Sequence, residues 1–183
     1  MNSIIKYTSN KESRCISIGN VIDVYNIRLL TSDINEMITR FYEENSGNAE
    51  CKITYTIHCT NCYLTPVLNF MDFVIETKRK IPNVTFTAII DSIIVGSALF
   101  MCLVADTVLM NNNSKILFMH PIEEMRLSTC KYIHEYDNIP DHLYDFVVKN
   151  TSTETANKLF KNDKLWLNQD ECLDMKIIDV ILL

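Results

Sequence analysis

Apolar residues along this chain recur with two spacings, and the two alternate from one end to the other. Residues 15–18 form a short β-branched run closed by Gly19-Asn20, which predicts a strand and a turn. From 31 to 44, Ile34, Met37, Ile38 and Phe41 fall on one helical face, with Thr31 or Ser32 available as the N-cap. The polar stretch Asn45-Ser-Gly-Asn48 ends that helix. Residues 53–57 alternate strictly, the mark of a strand with one buried face. A second helix is predicted over 64–80, stopped ahead of Pro82. Residues 84–90 read as a mostly apolar and therefore central strand. Residues 94–105 are apolar on every side, which suits a buried helix. Two β-type runs follow, 107–110 and 116–119, separated by Asn111-Asn112-Asn113. Beyond Pro140 the chain reads as amphipathic helix to about Asn162, then a short helix near 170–175 and a terminal strand over 177–183. Strand alternating with helix predicts an α/β fold with parallel strands and crossover helices.

Composition narrows the class. The chain has 183 residues, a one-domain length, and is 48% hydrophobic with only 3 Gly and 4 Pro, which excludes disordered and collagen-like proteins. A net charge of −6 argues against a nucleic-acid partner, which calls for a concentrated basic face. Asp91 and Asp106 bracket the most hydrophobic stretch, so no run reaches the ~18–20 residues of a membrane span. The 7 cysteines are an odd number in a chain large enough to need no disulfide staple, so reduced thiols are expected. The N-terminus lacks the apolar core of a secretory signal. These features predict a cytoplasmic protein, or one of an organelle stroma if a presequence has been removed.

Several segments taken together carry a family resemblance. Ile57-His-Cys-Thr-Asn-Cys-Tyr-Leu64 joins a strand to a long helix, and Asp91-Ser-Ile-Ile-Val-Gly-Ser-Ala-Leu-Phe100 opens the buried helix. Asp106-Thr-Val-Leu-Met110 and a strand ending in His120-Pro121 follow, and then the tail from Leu165-Trp166 to Asp179. This succession resembles the proteolytic subunit of the Clp protease (ClpP), including its phage-encoded and catalytically degenerate, ClpR-type members. The resemblance spans residues 14–183. It implies a ClpP/crotonase-like fold of repeated β-β-α units in a single domain over 14–183, preceded by a flexible segment over 1–13.

In that family the strand before the long helix ends in Asn-Ser-Pro-Gly-Gly, and the glycine amides form the oxyanion hole. Here Asn61 and Cys62 stand where the glycines belong. The nucleophilic serine opens the buried helix. Family spacing from His120 puts Val95 in its place, and alignment through Asp106 puts Gly96 there; neither side chain attacks a carbonyl. His120 matches the general base. The acid, two residues before the aromatic that corresponds to Trp166, falls on Lys164. A cation there depresses the pKa of a nearby histidine and does not orient it as a carboxylate does. Nucleophile, acid and oxyanion glycines are altered together, so the resemblance implies a pseudoprotease.

Its implied partners are ClpP-like subunits in a homo- or hetero-oligomeric, heptameric ring and an AAA+ unfoldase, with no nucleic acid or membrane involved. Two alternatives stand beside it. One is an active serine endopeptidase using Ser97 and His120, with Asp163 as a substitute acid; Ser92 precedes the helix and is a weaker nucleophile candidate. The other is a crotonase-type acyl-CoA-binding enzyme, suggested by the run from Gly96 to Asp106. Cys59-x-x-Cys62 with Cys130-x-x-x-His134 has zinc-ligand residue types, but a packed thiol pair is the simpler reading, so neither metal nor cofactor is expected.

Overall fold

The two spacings become strands and helices that bury one another's apolar faces. A computed structural model describes residues 7–10, 14–45, 49–120 and 139–182. Tyr7–Asn10 (β1) and Cys15–Ile22 (β2) come first, then helix Val24–Glu44 (α1) and strand Cys51–Cys62 (β3). Leu64–Lys80 (α2), Val84–Val95 (β4) and Ala98–Leu103 (α3) form the centre, followed by Thr107–Asn111 (β5) and Lys115–Met119 (β6). The last elements are Ile139–Asn150 (α4), Thr153–Phe160 (α5), Lys164–Leu167 (β7), Gln169–Asp174 (α6) and Val180–Leu182 (β8). One 8-stranded sheet results, in the order β1-β2-β3-β4-β5-β8, with β6 paired to β4 and β7 to β6. Among the described residues, only β1–β2 and β6–β7 are antiparallel. The predicted mixed α/β fold with a mostly parallel sheet and crossover helices is what forms. Among the described residues, no helix is long and apolar enough to cross a membrane.

Strict alternation builds the core. Ile53, Tyr55 and Ile57 of β3 and Phe86, Ala88 and Ile90 of β4 are wholly buried beneath the helices. Ile27, Leu30, Ile34, Met37, Ile38 and Phe41 line the inner face of α1, and Val67, Phe70, Met71 and Val74 that of α2. Each such side chain contributes ~1.5–3 kcal/mol by leaving water. Tyr55 packs edge-on against Phe70, 5.3 Å between ring centroids, and its hydroxyl donates to the Met101 carbonyl at 2.7 Å.

Strand β4 changes neighbour along its length. Residues 87–90 pair with β5 and 93–95 with β6. The change falls at a bulge: Ile57 and Cys59 of β3 align with Ile90 and Ile94, so β4 carries two extra residues. Ser92 there has φ 75°, a left-handed conformation uncommon outside glycine. The buried Ser114 fastens the bulge, accepting from the Ser92 N–H at 2.8 Å and donating to the Ile90 carbonyl at 3.2 Å.

Several predicted boundaries move. Gly19 and Asn20 do not turn; they stay in β2, aligned with His58 and Cys59, with a bulge after Asn20. Helix α1 begins well before Thr31, because Asp23 caps it by accepting from the Asn26 N–H at 2.8 Å. Exposed Val24 and Tyr25 and the buried polar Asn26 hid the helical period of that first turn. Ile94 and Val95 belong to β4, since the positive φ of Gly96 (63°) separates strand from helix. The long helix predicted beyond Pro140 is two, divided where Ser152 accepts from the Thr155 N–H and caps α5. Ile177 and Ile178 are buried ahead of β8 rather than in it, and Asp179 exchanges two bonds with Val108 of β5. Strands β1 and β7 were not anticipated; β1 falls in the segment expected to be flexible and pairs with β2.

Candidate functional site

The positions singled out by resemblance gather near the C-terminal ends of β3, β4 and β6. Ligands of open α/β sheets commonly bind beyond the carboxyl ends of their strands. Val95 ends β4 in register with Leu117 of β6, which lies opposite Trp166 of β7. Alternation sets its side chain on the face away from the helices. The Gly96 N–H donates to the Leu117 carbonyl at 2.8 Å, and its positive φ turns the chain into α3. Ser97 is the N-cap residue, with φ −65° and ψ −12°, and makes no side-chain capping bond. It is 0% exposed, as are the first five residues of α3 behind it.

His120 continues β6 by one residue. Its N–H donates to the Asp163 carbonyl at 2.9 Å, which extends the β6–β7 ladder. Its ring meets Phe160 of α5 edge-on at 5.4 Å, so it lies on the helical side, as Phe118 does. Phe160 also touches Tyr144, and the rings together hold the imidazole in place. The antiparallel register that sets Lys164 opposite Met119 sets Asp163 opposite His120. Lys164 therefore projects to the other face, with Trp166. The structure brings Ser97, His120 and Asp163 to one side of the sheet and places Val95 and Lys164 on the other.

Asn61 and Cys62 remain in β3, aligned with Val21 and Ile22 of β2. Neither has a positive φ, and the next amide, Tyr63 N–H, donates to the Ile22 carbonyl at 3.1 Å. An oxyanion hole needs donors turned out of the ladder toward the substrate. Here the backbone stays in the ladder to the start of α2, with no glycine to release it.

Other candidates have structural occupations. Ser92 sits at the β4 bulge, on the N-terminal side of the strand end where the remaining positions gather. Asp106 accepts from the Phe86 N–H at 2.8 Å and pairs with Lys78 at 2.6 Å, tying α2 to the segment after α3. Cys59 and Cys62 are buried thiols, the first donating to the Asn61 carbonyl at 2.9 Å and the second to that of Tyr63 at 3.9 Å. Cys130 and His134 lie outside the described residues. Among the described residues no three His, Cys, Asp or Glu side chains are grouped to hold a metal. Burial pushes the Cys102 thiol far up and that of Cys172 to about 12, so both stay protonated and unreactive.

Sequence reasoning did not find Phe160 as the ring against His120, and no local signal points to it: forty residues separate the two. The β6–β7 register that pairs His120 with Asp163 was equally hidden, because a four-residue strand carries too little pattern.

No protein-family model matches the chain, and no curated protein matches it by sequence. Solved structures do. A point mutant of ClpP1 from Listeria monocytogenes superposes with a TM-score of 0.68 at 14% identity, covering 94% of this chain and 92% of that one. An identity this low speaks for the fold and not for the chemistry. The chain has a ClpP-like fold.

Proposed function

We propose that this chain is a non-catalytic ClpP-like subunit that contributes shape and contacts to a ring-shaped assembly and performs no cleavage itself. The observation that carries this reading is the strand-to-helix turn. Its residues are a valine facing away from His120, a glycine, and a serine with no exposed surface. A nucleophile must reach both its base and the substrate carbonyl. The laddered Asn61-Cys62 segment supports the same reading. On it, the chain joins copies of itself or active ClpP-like subunits, in rings of seven by resemblance, and an AAA+ unfoldase docks on the assembly.

A second reading has one observation in its favour. Ser97, His120 and Asp163 share a side of the sheet, so a modest opening of the α3 start would leave His120 as base and Asp163 as its orienting acid.

A fluorophosphonate probe separates the two, because it labels only an already activated serine. The expected result is no adduct on peptide mass mapping, with an active ClpP labelling in parallel. An adduct on Ser97, lost in Ser97→Ala together with peptidase activity, would overturn the pseudoprotease reading.

A further inference from the structure

On the sheet face away from the helices, strands β4, β6 and β7 and the start of α6 frame a hollow of about 480 Å³. Ile93, Lys115, Trp166, Leu167, Asn168 and Glu171 line it. Register explains the gathering. Ile93 aligns with Lys115 and Leu117 with Trp166, so alternation sets these side chains on one face. The volume falls in the ~300–1,000 Å³ range of small-molecule pockets, which join apolar walls to a few convergent polar groups. Trp166 is the chain's sole tryptophan and stays 54% exposed, and among the described residues no other ring packs on it. A large planar ring left beside a hollow offers a stacking surface. The hollow lies at the start of β6, roughly 16 Å along the strand from His120, and so stands apart from the positions that the family resemblance picks out.

The polar groups at the rim select the ligand. Lys115 is exposed and, among the described residues, has neither an acid nor a hydrogen-bond partner. Asn168 caps α6 by accepting from the Glu171 N–H at 3.0 Å, which holds its oxygen on the helix. Its amide Nδ2 is then a donor with no partner among the described residues. Glu171 is already engaged, its Oε2 accepting from the Asn168 N–H at 2.9 Å. Two unengaged donors beside one occupied carboxylate favour an anion over a cation. The indole face and the Ile93 side chain favour a flat, apolar body.

We propose that this hollow binds a planar aromatic carboxylate, with its ring against Trp166 and Ile93 and its anionic end on Lys115 and Asn168. Stacking supplies the contact area, and the two donors supply the preference for a carboxylate over a neutral or cationic group in its place. The site is independent of the ring-subunit reading and calls for no activated serine.

Titration of the full chain with 4-nitrobenzoate, followed by tryptophan fluorescence, tests it, because Trp166 is the only indole present. A nitro-aromatic ring quenches an indole on which it stacks. 4-Nitrobenzamide and 4-nitrobenzylamine carry the same ring, so they control for light absorption and for charge. Quenching by the acid is expected to saturate, with half-effect near about 1 mM, the affinity that a ligand of this size permits. The amide and the amine should bind at least about ten-fold more weakly. Lys115→Met, at an exposed position, is expected to weaken the acid by about ten-fold with an unchanged circular dichroism spectrum. Raising salt from about 50 to 500 mM should weaken it in wild type as well, a check that needs no variant. Quenching that never saturates, or equal quenching by all three compounds, overturns the proposal. So does tighter binding of the amine, or binding of the acid that neither Lys115→Met nor salt alters.

Discussion

Tyr55→Phe removes one oxygen from the middle of the protein. Tyr55 lies on β3 with no exposed surface, and its hydroxyl donates to the Met101 carbonyl of α3 at 2.7 Å. That carbonyl belongs to the last turn of a six-residue helix, where backbone acceptors lack intrahelical donors. The Ala105 N–H bonds to Cys102 and the Val104 N–H to Phe100, so neither serves Met101. Tyr55 therefore acts as a C-terminal cap reaching across from the sheet. Phenylalanine keeps the ring and its edge contact with Phe70, so almost no packing is lost. What remains is a buried carbonyl without a donor, which costs ~1–3 kcal/mol. For a chain of this size each kcal/mol lowers Tm by about 2–4 °C. Urea unfolding followed by circular dichroism gives the comparison, with the m-value as a check that the two states are unchanged. A variant within ~0.3 kcal/mol of wild type, far below the expected burial cost, would refute the capping role.

Two further expectations concern charge. Burial raises the ionisation of Tyr55 well above its ordinary value, Cys102 likewise, and Cys172 to about 12. Above the unfolded values, near pH 9 for thiols, the unfolded chain loses protons that the folded chain keeps. Stability should therefore be full below about pH 8.5 and fall as pH rises, by about 1.4 kcal/mol per pH unit for each group. Cys172→Ala should flatten this slope; an unchanged slope in alkaline unfolding titrations would count against it. At Asp106, the bond to the Phe86 N–H should matter more than the half-exposed pair with Lys78. Lys78→Met is expected to cost under ~1 kcal/mol and Asp106→Ala ~1–3 kcal/mol, so an equal loss in chemical denaturation would reverse that ranking.

The candidate site was only partly readable in the sequence. His120 and the altered positions Asn61, Cys62, Val95 and Gly96 were picked out by the family resemblance, and the fold puts them at neighbouring strand ends. The family resemblance matched Lys164 to the acid position. The register of a four-residue strand instead turns it away from His120 and sets Asp163 opposite. One residue of register reverses a side chain's face, and four residues are too few for sequence pattern to fix that register.

Local chemistry in the sequence determined the central strands and helices and the core they enclose. Alternation over 53–57 requires one face to be buried, and the spacing of Ile34, Met37, Ile38 and Phe41 requires a helix, whatever surrounds them. The acidic balance likewise follows from composition alone. Where long-range pairing sets the outcome, only the tertiary structure decided. Asp23 caps α1 while Asn26 bonds back to the Val21 carbonyl, Ser114 fastens a bulge twenty-two residues away, and the Gly96 N–H reaches across to the Leu117 carbonyl of β6. The sheet face that no described residue covers belongs to the second group too. Its residues are a mixture of threonine and aliphatic side chains that no periodicity separates, and only the placement of the helices on the opposite side reveals it.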